Sequence, residues 1–196
     1  MDHLIDKLRA KVTKASFNPD FIHHKWFVKY HLNIVEQIAL ELCDIYKNAN
    51  RNLVKTLIWI HDYGKILGIR DGVEKITEVT AKLMEEIGFE QEFTDKAIQY
   101  LRIFESKMEF ELTKAPIEVQ ITSSADAASH MVGPFYSLWW LESPHKTFEE
   151  LMEDNKGKAL KDWNRKIVLP EVKKAFENRN RFVMENSGDF PEKYLT

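Results

Sequence analysis

Residues 52–65 read NLVKTLIWIHDYGK, an apolar run that closes with two ionisable side chains and a glycine. Its apolar positions, among them Val54 and Leu57, recur at the spacing of one face of an α-helix, and His61 continues that face. Asp62 then meets the negative end of the helix dipole, and a buried charge without a partner costs free energy. The stretch therefore predicts a core helix whose end needs a nearby cation, such as a divalent metal.

Neighbouring residues in a regular helix point about 100° apart, so His61 and Asp62 do not share a helix face. Both can contact one ion only if it lies beyond the end of the helix. We expect Gly64 to end the helix and leave room for that ion.

Two other predicted helices carry polar residues toward the interior. KYHLNIVEQIALELC (29–43) places His31 one turn before Val35 on its apolar face, and PIEVQITSSADAASHM (116–131) surrounds Asp126 with small residues. For either residue alone, a hydrogen-bonded core histidine or a surface aspartate is the plainer interpretation. The ordered set is more specific than its members.

The ordered set H…HD…D, formed by His31, the pair His61–Asp62 and Asp126, resembles the signature of the HD superfamily of metal-dependent phosphohydrolases. LIWIHDYGK (57–65) is similar to the central motif of that family, apolar-apolar-x-x-HD-x-GK. YHLNIVEQIALELC (30–43) is similar to its first motif, and ITSSADAAS (121–129) to the segment that carries the last aspartate. The resemblance covers residues 25–131, over half the chain, and leaves the role of residues 132–196 open.

The resemblance implies that one divalent transition metal (Mn, Fe, Co, Ni or Zn) is bound by four residues: His31, His61, Asp62 and Asp126. Two imidazoles and two carboxylates do not choose among these metals. The implied activity is hydrolysis of a phosphate ester or anhydride of a small molecule, nucleotides included, by a metal-activated water.

Further residues are candidates for the chemistry around the metal. Lys65 holds the motif position of a group that receives the phosphate charge, as a catalytic and substrate-binding residue. Arg70 and Arg102 are further substrate-binding candidates. His130 lies one turn from Asp126 and is a candidate proton donor to the leaving group.

The chain departs from the dinuclear members of the family, which include oxygenases and add histidines after the HD pair. No histidine occurs between His61 and His130, and Glu78 and Glu105 are the nearest substitutes. We therefore expect a mononuclear site. Two alternatives stay open: a degenerate domain that binds metal or nucleotide for regulation, and a structural domain whose polar residues pair without metal.

Composition sets the class of protein. The 196 residues are 44% hydrophobic and 30% charged, with a formal charge of −3, which argues against binding to duplex nucleic acid. Cys43 is the only cysteine, so no intramolecular disulfide is possible, and its apolar neighbours predict a buried thiol. The mixed charges of the first 14 residues do not predict a signal peptide, and no apolar run approaches the roughly 20 residues of a membrane span. We expect a cytoplasmic protein with no membrane partner, and a homodimer is compatible with the sequence.

Helical periodicity recurs along the chain, and glycine (7) and proline (6) are few. The patterns predict one all-α domain, a helical bundle of the HD-domain type over residues 1–196. Helices are predicted at 2–14, 25–48, 50–62, 73–88, 91–107, 116–131, 146–162 and 169–186, with loops at 68–72 and 133–135. We expect His23 and His24 to lie near the surface, and Trp139, Trp140 and Trp163 to be core or interface aromatics.

Overall fold

The chain is built from α-helices in the computed structural model, which describes residues 1–70, 72–106, 108–193 and 195. The α-helices are α1 (Asp2–Ser16), α2 (Asn33–Ile45), α3 (Arg51–Ile60), α4 (Tyr63–Ile66), α5 (Val73–Ile87), α6 (Gln91–Glu105), α7 (Ile117–Ser129), α8 (Phe135–Leu141), α9 (Phe148–Lys161) and α10 (Pro170–Asn186). Two π-helical turns, Val28–Leu32 and Asp162–Lys166, and a 3₁₀ turn, Leu112–Lys114, complete the regular structure. No strand occurs in the described part of the chain, so the predicted all-α fold is confirmed.

Local sequence explains where several helices begin and end. The side chain of Asn50 accepts hydrogen bonds from two backbone N–H groups in the first turn of α3. Thr147 and Glu150 form a reciprocal capping box at the start of α9. Helix α5 ends at Gly88, whose φ of +98° is a left-handed conformation that glycine adopts readily.

Helix α7 lies inside the bundle, in contact with α2, α3, α6 and α10. Every residue from 121 to 129 is buried, and most of these side chains are as small as serine or alanine. Small side chains let the neighbouring helices approach α7 closely. Because Asp126 is in this segment, the packing of α7 against its neighbours places the Asp126 carboxylate in the interior.

Most predicted helices agree with the structure to within two residues at each end. The predicted helix 25–48 starts later, with a π-helical turn, and the predicted helix 146–162 continues into the other π-helical turn. Helices α4 and α8 were not predicted. The sequence predicts a loop at 133–135, whereas Pro134 directly precedes α8. Proline is tolerated at the start of a helix, because the N–H that it lacks would have no partner within the helix. Asp71 in the predicted loop 68–72 and Lys107 in the predicted helix 91–107 lie outside the described residues.

None of the described helices is both long and apolar enough to cross a membrane.

Candidate metal centre

The four predicted ligands come from three parts of the chain that meet in the interior: the first π-helical turn, the junction of α3 and α4, and α7. His31 lies in the first π-helical turn, and Asp126 projects from the buried length of α7. His61 follows the last residue of α3, and Asp62, with φ −110° and ψ 12°, leaves helical geometry. This change in backbone direction is what lets two adjacent side chains face one point.

Gly64 does not end the helix, contrary to the prediction. Helix α3 already ends at Ile60, and Gly64 lies inside the short helix α4. A Cβ atom built on Gly64 would lie 2.6 Å from Cγ1 of Ile76 in α5. Glycine is therefore needed for the close approach of α4 to α5, which fixes the segment that follows Asp62.

The ligand atoms of the four residues form a tight cluster. His31 Nε2 lies 3.6 Å from Asp62 Oδ2 and 3.6 Å from Asp126 Oδ1. His61 Nε2 lies 3.5 Å and 3.8 Å from the same two oxygens. Four ligands in a tetrahedron around Zn²⁺, at about 2.1 Å from the ion, are roughly 3.4 Å apart. These four nitrogen–oxygen distances are in the range expected between ligands of one first-row divalent ion.

The hydrogen bonds of the two imidazoles fix which nitrogen faces the cluster. His61 Nδ1 lies 2.7 Å from the carbonyl oxygen of Ile58, which can only accept, so Nδ1 carries the proton. The Ser129 hydroxyl donates to the Asp126 carbonyl oxygen, and its own oxygen lies 3.0 Å from His31 Nδ1, which donates to it. In the neutral rings both Nε2 atoms therefore carry lone pairs toward the carboxylates.

His61 Nε2 is buried and has no hydrogen-bond partner among the described residues. A buried polar atom without a partner is unfavourable, and here it faces two acceptor-only carboxylates. A cation is the species that satisfies all of these lone pairs at once. The donor set thus fits a divalent metal, and the buried cluster can hold one.

The protonation states of these residues at neutral pH suit metal binding. Burial lowers the pKa of His31 against the opposing effect of Asp62 and Asp126, which favours the neutral ring. Burial alone would raise the pKa of Asp62, but Lys65 and the two histidines outweigh it and hold that pKa well below its usual range. The pKa of Asp126 is likewise held well below its usual range, because Lys166 and the histidines outweigh burial. Two charged carboxylates therefore face the imidazoles at neutral pH.

His130 borders the cluster, as its position one turn after Asp126 predicts. Its ring stacks on that of His31 with 5.2 Å between the centroids, and its Nε2 lies 3.5 Å from Asp126 Oδ1. His31, Asp126 and His130 form a second possible ligand group that shares His31 with the group of His31, His61 and Asp62. His130 Nε2 is thus a third histidine nitrogen that faces these carboxylates, and a further possible ligand atom.

Three residues of the C-terminal part also border the cluster, and no sequence pattern predicts their role. Asp162 is fully buried and accepts hydrogen bonds at Oδ2 from His130 Nδ1 (2.7 Å) and Lys158 Nζ (2.6 Å). Lys166 Nζ lies 2.8 Å from Asp162 Oδ1 and 3.3 Å from Asp126 Oδ2. Asp162 and Lys166 both lie in the second π-helical turn, and such turns are frequent at functional sites.

These lysines and Asp162 shift one another's protonation. Burial and Lys166 lower the pKa of Lys158 to about 8, although Asp162 opposes the shift. Burial and Lys158 lower the pKa of His130 to about 3, so its ring is neutral at neutral pH. Burial would lower the pKa of Lys166, but Asp126 and Asp162 outweigh it and raise that pKa.

Of the three predicted substrate-binding residues, only one lies at the cluster. Lys65 lies at the cluster, with Nζ 3.7 Å from Asp62 Oδ2 and half of its side chain exposed. Arg102 pairs with Glu74 at 3.2 Å on the surface, and Arg70 is exposed. Neither arginine lines a cavity beside the cluster, so the structure does not bring them to the site.

Glu78, predicted as the nearest substitute for a second set of ligands, forms surface ion pairs with Lys75 and Lys82. It is therefore not at the cluster. Cys43 is buried, as predicted, and burial raises the pKa of its thiol.

His23 departs from the expected near-surface position. It is buried, and its Nδ1 lies 2.6 Å from Glu142, which also accepts a hydrogen bond from Trp26 Nε1. Glu142 caps α8, so these bonds attach α8 to the segment that precedes the first π-helical turn. Trp139 and Trp140, in α8, are partly exposed, as is Trp163.

Two cavities adjoin the cluster. The lysine cavity, of about 240 Å³, is lined by Asp62, Lys65, Asp126, His130, Phe135, Lys158, Lys161 and Lys166. The aromatic cavity, of about 290 Å³, has walls that include Trp26, Phe27, Phe135, Tyr136 and Trp139. Both are lined in part by Lys65, His130, Phe135 and Lys158, so they meet beside the cluster.

Comparison of the chain with protein-family models, with curated proteins and with solved structures gives no match.

Proposed function

We propose that the protein is a metal-dependent phosphohydrolase of the HD type, which cleaves a phosphate ester or anhydride of a small molecule with water. One observation carries the proposal. The Nε2 atoms of two histidines lie 3.5–3.8 Å from the same two carboxylate oxygens, directly beside a cavity lined by four lysines. The order of the ligands along the chain, H…HD…D, agrees with that family.

His31, His61, Asp62 and Asp126 would hold one divalent transition metal. When bound, such an ion supplies a Lewis acid and lowers the pKa of water, so that hydroxide is formed near neutral pH. The two carboxylates balance the charge of the ion, which leaves the phosphate to be attracted by other groups. Glu78 lies in surface ion pairs away from this cluster, which supports one metal rather than two.

The lysine cavity is the proposed site of the phosphate group. Lys65 is half exposed and lies beside Asp62, so its ammonium group can move onto a phosphate oxygen without leaving a buried charge unpaired. Lys161 is exposed and has no ion pair with another described residue. Lys158 and Lys166 are held in place by ion pairs with Asp162 and add fixed positive charge to the lining of the same cavity.

His130 is the proposed residue that positions the attacking water. Asp162 accepts a hydrogen bond from the Nδ1–H of His130, so Nε2 of the neutral ring carries a lone pair toward the cluster. The sequence predicts a proton donor, whereas a ring with a pKa of about 3 is neutral at neutral pH and only a weak base. We therefore assign His130 the acceptance of a hydrogen bond from the attacking water. A polar side chain that faces the cluster beyond the four ligands favours an enzyme over a regulatory module that only binds metal.

Activity assays with defined metals test the proposal. The protein is stripped with a chelator, reloaded separately with Mn²⁺, Co²⁺ or Ni²⁺, and assayed for phosphate release from a panel of phosphate esters and anhydrides. We expect release from at least one compound with at least one metal, and none from the stripped protein. No release from any compound by protein shown to contain metal would contradict the proposal and favour the regulatory alternative.

A further inference from the structure

The aromatic cavity is built to receive a flat, largely apolar group. Five aromatic side chains stand along its walls, and two of its charged lining residues, Lys146 and Asp154, neutralise each other in an ion pair. The other two lysines, Lys65 and Lys158, also line the lysine cavity. A volume of about 290 Å³ lies near the lower limit of small-molecule pockets, which are roughly 300–1,000 Å³. The cavity therefore suits one ring system and its linker rather than an extended chain.

One buried amide gives the aromatic cavity a polar group. Asn155 is 4% exposed, lines the cavity, and makes no side-chain hydrogen bond to another described residue. The hydroxyl oxygen of Tyr136, which lines the same cavity, is buried without a hydrogen-bond partner among the described residues, although buried polar groups are normally hydrogen-bonded. A ring with a hydrogen-bond donor or acceptor on its edge would bond to these groups.

The charges around the lysine cavity limit the negative charge, and so the number of phosphate groups, that a bound substrate can carry. Lys65, Lys158, Lys161 and Lys166 face three aspartates, Asp62, Asp126 and Asp162, which leaves one positive charge. A divalent ion would raise the total to three. A phosphate monoester carries nearly two negative charges at pH 7, and hydroxide adds the third. A triphosphate would exceed this balance by itself and would need space that the lysine cavity, of about 240 Å³, shares with the ion and water.

We propose that the substrate is a phosphate monoester of an alcohol that carries one flat ring system, an inference that rests on the proposed function. The phosphate occupies the lysine cavity, and the ring stacks in the aromatic cavity with its edge at Asn155. A water oxygen forms a bond to phosphorus while the bond from phosphorus to the ester oxygen breaks. That oxygen leaves with the bonding electrons and takes up a proton, which gives the free alcohol and inorganic phosphate.

The test compares three substrates and two variants of the metal-loaded protein. The substrates are a nucleoside 5′-monophosphate, its 5′-triphosphate, and glycerol phosphate, which has no ring. The variants are Trp139→Ala, which removes a wall of the aromatic cavity, and Trp140→Ala, a neighbour on α8 whose ring packs on Phe148 outside that cavity. Quenching of tryptophan fluorescence by the free nucleoside, measured on metal-free protein, reports ring binding without turnover.

We expect kcat/KM to be at least about tenfold higher for the monophosphate than for either other substrate. Trp139→Ala should raise KM for the monophosphate by roughly tenfold, the effect of losing one stacked ring, and should weaken nucleoside binding equally. Trp140→Ala should leave both unchanged. Turnover of glycerol phosphate or the triphosphate at a similar kcat/KM would overturn the inference but leave the proposed function intact. Nucleoside binding that depends on Trp139, with no turnover of any phosphate, would instead overturn the proposed function and with it the substrate assignment.

Discussion

The two halves of the site have similar residues but differ in how closely their carboxylates are paired. In the ligand half, formed by His31, His61, Asp62 and Asp126, the imidazole Nε2 atoms lie 3.5–3.8 Å from the carboxylates, and His61 Nε2 has no hydrogen-bond partner among the described residues. In the C-terminal half, formed by His130, Lys158, Asp162 and Lys166, one buried carboxylate is surrounded by three donor groups at 2.6–2.8 Å. The nearest ammonium groups to the carboxylates of the ligand half are farther away, Lys65 at 3.7 Å from Asp62 and Lys166 at 3.3 Å from Asp126. Binding should therefore depend on the first half and folding stability on the second.

The largest expected effect comes from the ligand half. Asp62→Ala removes one of the two carboxylates that balance the ion, and should abolish metal-stimulated phosphate release, a loss of at least about a thousandfold. Helix content should stay nearly the same, because Asp62 lies between α3 and α4 and its side chain makes no capping hydrogen bond to α4. Phosphate release and circular dichroism on the same sample measure the two quantities.

Asp44→Ala is the matched control for Asp62→Ala, since Asp44 lies on the surface and pairs with Arg51. Its activity should equal that of the unaltered protein. Activity that survives in Asp62→Ala would mean that Asp62 is not a ligand.

A change in the C-terminal half should act on stability. Asp162→Asn leaves the buried ammonium group of Lys166 and the largely buried Lys158 without their shared counter-charge, so the free energy of unfolding should fall by about 3 kcal/mol. The folded variant should still bind metal. Urea unfolding of the metal-free protein measures the change, with Glu78→Gln, which breaks surface ion pairs, as the control that should unfold almost like the unaltered protein. Equal stability of the two variants would remove the distinction between the halves.

A smaller effect on metal binding is expected from the residue that orients His31. Ser129→Ala removes the oxygen that accepts the Nδ1–H bond, and loss of such a supporting partner weakens metal affinity by roughly 10–100-fold. Competition with a chelator measures the affinity. Thr122→Val is the control, because this buried hydroxyl on the same helix bonds only to the Glu118 carbonyl. A similar loss of affinity in both variants would show a general effect on α7 packing.

The smallest effects are expected at the two arginines that lie away from both halves. Arg102→Gln and Arg70→Gln should each leave kcat/KM within about twofold of the unaltered protein, as surface changes away from a site usually do. Steady-state kinetics on the best substrate measures this. A tenfold loss of kcat/KM in either variant would show that the substituted arginine contributes to the substrate site.

The residues of the ligand half can be selected from the sequence because the information that marks them is local. His61 and Asp62 are adjacent, and the apolar periodicity of their helix and of the helix after His31 is strong. The same periodicity predicts most helices to within two residues. The burial of Asp126 also follows from its small neighbours, once the helix is known to lie inside the bundle.

The C-terminal half could not be predicted, since its pairing depends on distant packing. Asp162 meets His130 across 32 residues, and Lys166 meets Asp126 across 40. The π-helical turn that brings Asp162 and Lys166 together has no simple sequence pattern. The role of Gly64 could not be predicted from the sequence for the same reason. Glycine is needed there because Ile76 in α5 packs against it, and that contact depends on the folded structure.

Metal stoichiometry tests the central claim most directly. The protein is stripped, reloaded with excess Mn²⁺, Co²⁺, Ni²⁺ or Zn²⁺ in separate samples, freed of unbound metal by gel filtration, and measured by elemental analysis together with protein concentration. The convergence of His31, His61, Asp62 and Asp126 predicts about one ion per chain for at least one of these metals, and none in Asp62→Ala. An unaltered protein that retains no metal after loading would contradict the account.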